Sequence, residues 1–300
     1  MQSSSSEGPF KAGGASKLGQ PLPFLPGEVL TYDIGFSKLF LSGSIGQLKL
    51  AVKNGQARAK GELQPSAKPS TAVGNRATGS PDQLSTRGAT VVQEIDSDGT
   101  KGESANIEFS ARVVSKGFFT WLFGIRVEDS YGAIVSSDDF GLLRSWKEID
   151  QGNLHRRYET KVDRESGTVS YSESDRKNAS AAKAKTVSSP RWILDLLSAV
   201  YFMRTLDIKE GKTITLPITD VGQVYMIDAV PGRREEIQVE AGRFKSIQLD
   251  LRIFDGKYIK RSGELIIWLS DDARRVPLRA KLKSSGTTVN ITLSHQEHLG

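Results

Sequence analysis

A chain of 300 residues, 37% hydrophobic and 25% charged, has a globular composition with room for one large β domain or two ordinary ones. Lys and Arg exceed Asp and Glu by 41 − 35 = 6, spread along the chain without the dense basic stripe and interleaved aromatics of a nucleic-acid binder, so nucleic acid is not an expected partner. Cysteine is absent, which excludes disulfides, thiolate nucleophiles and cysteine-held metal centres.

The chain opens "MQSSSSEGPFKAGGASKLGQPLPFLPGE", polar and rich in small residues, without the basic-then-apolar order of a secretory signal. Residues 1–22 read as a disordered leader left after signal removal, with order expected from Phe24. A single β-rich domain is expected over 23–300. "PGEVLTYDIGF" and "LFLSGSIGQLKLAV" alternate with period two, so two antiparallel strands joined near Ser37 are expected. From about 54 to 102 the chain turns to Ser, Thr, Gly, Ala and Pro, which reads as a flexible insertion with "ATVVQEID" (89–96) as a short strand inside it. Strand pattern returns at "NIEFSARVV", and Phe118 to Phe123 fits one helical turn before "LLRSWKEID", "LHRRYETKVD" and "GTVSYSESD" continue a meander.

One helix is expected in "SSPRWILDLLSAVYFMRTL", capped by Ser189, with Pro190 in the first turn and an end near Arg204. Its apolar residues occupy almost every face, which predicts an enclosed helix. The run is broken by Asp195 and falls short of the ~20 residues that span a bilayer, so no transmembrane segment is expected. From Lys212 strands return, with turns expected at Pro231-Gly232 and Asp255-Gly256. Short connections demand antiparallel pairing, and about a dozen strands suffice for a barrel, half-barrel or large curved sheet wrapped around the helix. The fold class is therefore all-β, mainly antiparallel, with no clean internal repeat.

Candidate chemistry is sparse. His155 lies in a hydrophilic strand, and His295 and His298 sit near the chain end, where solvated histidines outweigh a metal site. Acid doublets at 138–139, 235–236 and 271–272 point to opposite faces of a strand and do not make shared-proton dyads. "WLSDDARRVPL" reads as a corner in which an Asp accepts from backbone amides while Arg274 or Arg275 pairs with Asp271 or Asp272, the arginines being the alternative contact for an anion. No nucleophile elbow, P-loop, dinucleotide fingerprint or zincin motif is present, so no catalytic residue, metal or cofactor is assigned. Trp192, Leu196, Tyr201 and Trp268 are the candidate ligand-binding residues, should the sheet leave a groove beside the helix.

In order, "PFLPGEVLTYDIGF", "GFFTWLFGIRVEDSY", "YETKVDRESGTV", "DLLSAVYFMRTL", "EEIQVEAGRFKSIQLDL" and "GELIIWLSDDARRVPLRAKL" resemble the motifs of the exported bacterial family known as domain of unknown function 3108. The resemblance covers about residues 23–298 and implies a β-rich protein of the cell envelope, periplasmic or otherwise exported. It supplies no reaction. The resulting expectation is a noncatalytic envelope protein binding a lipid-like or peptide ligand in a sheet groove. The alternatives are a structural or assembly factor that touches an envelope protein or an anionic glycolipid surface, and a hydrolase of an envelope polymer acting through Asp271, Asp272 or Glu264.

Overall fold

Period-two patterning lays down one strand after another, and the short links between them force each to fold back on its predecessor. A computed structural model describes residues 21–38, 41–53, 106–116, 126–175, 182–252 and 263–297. All belong to one compact unit formed by 1–56 and 104–300, while a second unit, 57–103, lies outside them. The expected leader up to residue 20, the insertion with its short strand, the Phe118–Phe123 turn, the Asp255-Gly256 turn and His298 also lie outside the described residues.

The first meander comprises β1 (Val29–Lys38), β2 (Leu41–Lys53), β3 (Asn106–Ser115), β4 (Glu128–Ser136), β5 (Leu142–Gln151), β6 (Leu154–Asp163), β7 (Thr168–Asp175) and β8 (Lys183–Ser188). Helix α1 (Leu196–Arg204) follows. The second meander comprises β9 (Ile214–Asp220), β10 (Gln223–Val239), β11 (Gly242–Arg252), β12 (Gly263–Ser270), β13 (Pro277–Ser284) and β14 (Thr287–Glu297). They form one antiparallel sheet of 14 strands, ordered β8-β7-β6-β5-β4-β3-β2-β1-β14-β13-β12-β11-β10-β9. The two meanders are joined where β1 pairs with β14, so the first strand seats the last. Among the described residues the fold is all-β, mainly antiparallel, with one large curved sheet around one short helix, as the patterning predicts.

Strand pairing does not close the sheet. Instead a two-residue extended segment ahead of the helix ties the edge strand β9 to β5, fourth from the opposite edge: the Leu142 N–H donates to the Ile193 carbonyl at 2.9 Å. On the other side the Leu194 N–H donates to the Pro217 carbonyl at 3.0 Å and the Thr219 N–H to the Leu194 carbonyl at 2.8 Å. Both Ile193 and Leu194 are fully buried.

That tie explains why the helix begins later than its sequence suggests. Residues 193–194 spend their backbone groups on β5 and β9, so the cap is Asp195 rather than Ser189. The Ser198 N–H donates to Asp195 Oδ1 at 2.8 Å, and the Asp195 N–H donates to Ser198 Oγ at 2.9 Å, a reciprocal capping box. Pro231-Gly232 is likewise not a turn. β10 runs straight through it with a register shift between Pro231 and Arg234 against β11, a bulge that spares the sheet a missing proline N–H.

Helix α1 has two apolar faces. Tyr201 stacks on Phe109 with centroids 4.0 Å apart, Phe24 stands edge-on to Tyr201 at 5.3 Å, and Phe202 meets Phe140 at 5.5 Å. This aromatic cluster fixes α1 to β3 and β4. The other face carries Leu196, Ala199, Val200 and Met203, at i, i+3, i+4 and i+7, and turns toward β9–β13.

Candidate functional site

Two arrangements stand out on either side of α1. The first is a buried ionic lock. Arg204, in the last helical turn, reaches Glu28 with Nη1 to Oε1 at 2.5 Å and Nη2 to Oε2 at 3.0 Å, a bidentate pair whose side chains are 0% and 1% exposed. Two more guanidinium hydrogens go to the carbonyls of Pro23 (3.0 Å) and Arg274 (3.1 Å). Its face lies 5.2 Å from the Phe24 ring centroid. Tyr32 adds a hydrogen bond from its hydroxyl to the Pro277 carbonyl at 2.9 Å, and burial pushes that phenol well above its usual range. The lock therefore joins "LPGEVLTY", "YFMRTL" and "DDARRVPL", segments far apart in sequence.

The corner of that last segment is held by its own side chains. Asp272 Oδ1 accepts from the backbone N–H groups of Arg274 (3.0 Å) and Arg275 (3.1 Å) and from the Ser270 hydroxyl (2.7 Å). Ser270 Oγ in turn accepts from the Val276 N–H at 2.7 Å. Asp271 lies between Arg275 (2.8 Å) and Arg234 (3.0 Å), and the Arg275 hydrogen bond above all holds its carboxyl below the usual carboxylate range. Arg274 points back to Glu28 at 3.5 Å. Glu264 sits at the other end of β12, about 20 Å away by strand rise, paired with Lys283 at 2.9 Å. The three carboxylates do not converge. His155 pairs with Asp150 at 3.0 Å and His295 lies 3.8 Å from Glu297, and no group of three metal-ligating side chains occurs among the described residues.

The second arrangement is a groove of about 390 Å³ between α1 and the sheet. The helix contributes its aliphatic stripe. Leu216 and Ile218 of β9 and Tyr225, Ile227 and Ala229 of β10 form the near wall. Leu251, Leu265 and Leu282 continue it across β11, β12 and β13, each directly opposite the next in the pairing register. Their alternation puts all of them on one face, a row spanning five strands or about 19 Å at 4.8 Å per strand. Leu196 remains 42% exposed, and Leu265 and Leu282 are half-buried, so the groove is open rather than sealed.

Asp220 is the charged residue in this lining. It ends β9, and Lys147 of β5 pairs with its Oδ1 from across the sheet opening. The two-residue turn that follows, Val221-Gly222, has φ of 49° and 67°, a hairpin geometry that asks for left-handed residues. Gly222 meets that need and lets the Tyr171 ring approach, 3.1 Å from where a Cβ would be. Val221 does not meet it, and is a β-branched residue held in a sparsely populated region while 48% exposed beside the groove's charged end.

Of the residues singled out by sequence, Leu196 lines the groove. Tyr201 lies on the opposite side of the helix in the aromatic cluster, and its buried hydroxyl has no partner among the described residues. Trp192 donates its indole N–H to the Asp139 carbonyl at 2.9 Å and packs edge-on against Phe202. Trp268 follows Ile267 and so faces the other side of β12, where its N–H donates to Glu235 at 2.8 Å and Arg279 covers its ring. Sequence reasoning missed the strand lining and Asp220, whose alternation marks a shared face but not the face that meets the helix.

A family model described as "Protein of unknown function (DUF3108)" matches residues 84–294. Among solved structures, the chain is similar to a crystal structure titled a beta-barrel-like protein of domain of unknown function DUF1849 from Brucella abortus, with a TM-score of 0.53 and 8% identity over 92% of this chain and 99% of that one. At that identity the likeness speaks for the fold alone. No curated protein matches.

Proposed function

The chain belongs to the DUF3108 family, which carries no assigned activity, and from that footing we propose that it is a noncatalytic binding protein of the cell envelope whose groove between α1 and β9–β13 holds an apolar, lipid-like ligand. One observation carries the reading: the aliphatic stripe of α1 faces a continuous aliphatic row of the sheet across an open space. Apolar surface that faces apolar surface without packing forfeits dispersion contacts and stays in water, so a chain-like ligand gains both by entering. By volume, a cavity of ~150 Å³ takes one benzene, so this groove takes roughly fifteen carbons. At about 0.8 kcal/mol per methylene, ten buried methylenes supply about 8 kcal/mol, the scale of a micromolar complex.

The carboxylates and arginines of the 271–275 corner support a noncatalytic role, since each is committed to holding the corner or the lock. An envelope location is supported by the resemblance to an exported family. No helix among the described residues is long and apolar enough to cross a membrane. Titration with a fluorescent C12–C16 chain tests the reading: the native protein should saturate with a micromolar Kd. Val200→Trp, which fills the groove from a half-buried helical position, should lose binding at least tenfold while keeping its fold. Equal binding by that variant would place the ligand elsewhere and refute the assignment.

A further inference from the structure

We propose that the groove selects its ligand by head group, taking an aliphatic chain that bears a protonated amine and seating the ammonium at Asp220. The inference rests on the groove being a binding site and adds the chemical class of its occupant.

The charge layout sets the sign. Within the lining the charged group is a carboxylate, at one end of an otherwise aliphatic slot. Lys147 comes from β5, outside the lining, and its ammonium sits on Asp220 Oδ1 as a tethered occupant of the same position. Tyr225 also lines the groove, on the neighbouring strand two residues beyond Gln223, the register partner of Asp220. A carboxylate at the end of an aliphatic slot attracts an ammonium head by Coulombic interaction.

Exchange energetics point the same way. A ligand ammonium replaces Lys147 like for like, and the displaced lysine, already 26% exposed on a flexible stem, moves out to water. An anionic head must instead pull Lys147 from Asp220 and then lie beside a carboxylate left without its partner, which like-charge repulsion opposes. The aliphatic row runs about 19 Å from β9 to β13, so a chain anchored at Asp220 has apolar wall along its length.

The experiment is calorimetric titration at pH 7 with dodecylamine, dodecanol and dodecanoate, each below its micelle concentration, against the native protein, Asp220→Asn and Lys147→Met. The expected result is that dodecylamine binds the native protein about tenfold more tightly than dodecanol, and dodecanoate most weakly. Asp220→Asn should erase the amine preference, so that dodecylamine and dodecanol bind that variant alike, and saturable dodecanol binding reports that its groove is intact. Lys147→Met, which removes the tethered competitor, should widen the preference. Dodecanoate binding as well as dodecylamine, or a preference that survives Asp220→Asn, overturns the head-group assignment and leaves the groove in place. If no C12 chain binds the native protein, the groove reading falls and this inference with it. Should Asp220→Asn not fold, the ranking in the native protein and its change in Lys147→Met decide the matter alone.

Discussion

Replacing Glu28 with Leu leaves the Arg204 guanidinium fully buried with its counter-charge gone. In the native protein that guanidinium makes two hydrogen bonds to the carboxylate and two to the Pro23 and Arg274 carbonyls. The substitution removes both charge-assisted bonds and the neutralising charge, and Arg274, 3.5 Å from Oε2, supplies only a further positive charge. Breaking one side of a buried pair costs about 3–5 kcal/mol. That is a large part of the ~5–15 kcal/mol that holds a typical domain together, and corresponds to a fall in Tm of roughly 10 °C. Urea unfolding followed by tryptophan fluorescence reads it directly, with the midpoint shifted and the slope unchanged. The double variant Glu28→Leu/Arg204→Met should recover part of the loss, because no uncompensated charge remains, although the Pro23 and Arg274 carbonyls still lack a donor. A Glu28→Leu protein within about 1 kcal/mol of the native one would refute the view that this lock seats the helix.

Three further outcomes follow from the corner and the hairpin. Asp272→Ala should cost roughly 2 kcal/mol in the same unfolding assay, since one oxygen caps two backbone N–H groups, whereas Asp272→Asn keeps an acceptor there and should lose less than half of that. Val221→Asn should raise stability by about 1 kcal/mol, because Asn tolerates the left-handed conformation at φ 49° and completes an Asn-Gly hairpin turn; an unchanged or lower midpoint would contradict the strain. Asp271 has a folded pKa held below its unfolded one by Arg275 and Arg234, so its contribution is present above the ordinary aspartate range and is lost as pH falls through the lowered value. Unfolding of Asp271→Asn across pH 2–7 should show a deficit at neutral pH that closes in acid, and a constant deficit would sink the linkage.

Much of the fold is legible because one face of the sheet is buried and alternation then marks each strand: Val135, Leu142, Val169, Ile218 and Leu249 are all fully buried on such patterns. The helix start is not legible, since Pro190 and Ser189 form a good local cap while the decisive event is the pairing of Ile193 and Leu194 with strands distant in sequence. Pro231-Gly232 misleads in the same way: locally it reads as a turn, and only the partner strand shows the bulge. At the candidate site, large aromatics drew attention by size, yet size sends Tyr201 and Trp192 into packing and leaves a groove lined mostly by aliphatic residues, with Tyr225 its aromatic member. Glu28 and Arg204 stand 176 residues apart, so no local spacing announces their pairing. The 271–275 corner is the exception, because Asp272 bonds backbone N–H groups two and three residues ahead and such bonding is written in the local sequence.

A groove that holds an apolar ligand in the cell should still carry it after gentle purification. Native mass spectrometry of the protein purified gently from its own cells, followed by organic extraction of what travels with it, tests this most directly. A stoichiometric aliphatic mass is expected on the native protein and not on Val200→Trp. A clean apo mass for both, unchanged after incubation with envelope lipids, would contradict it.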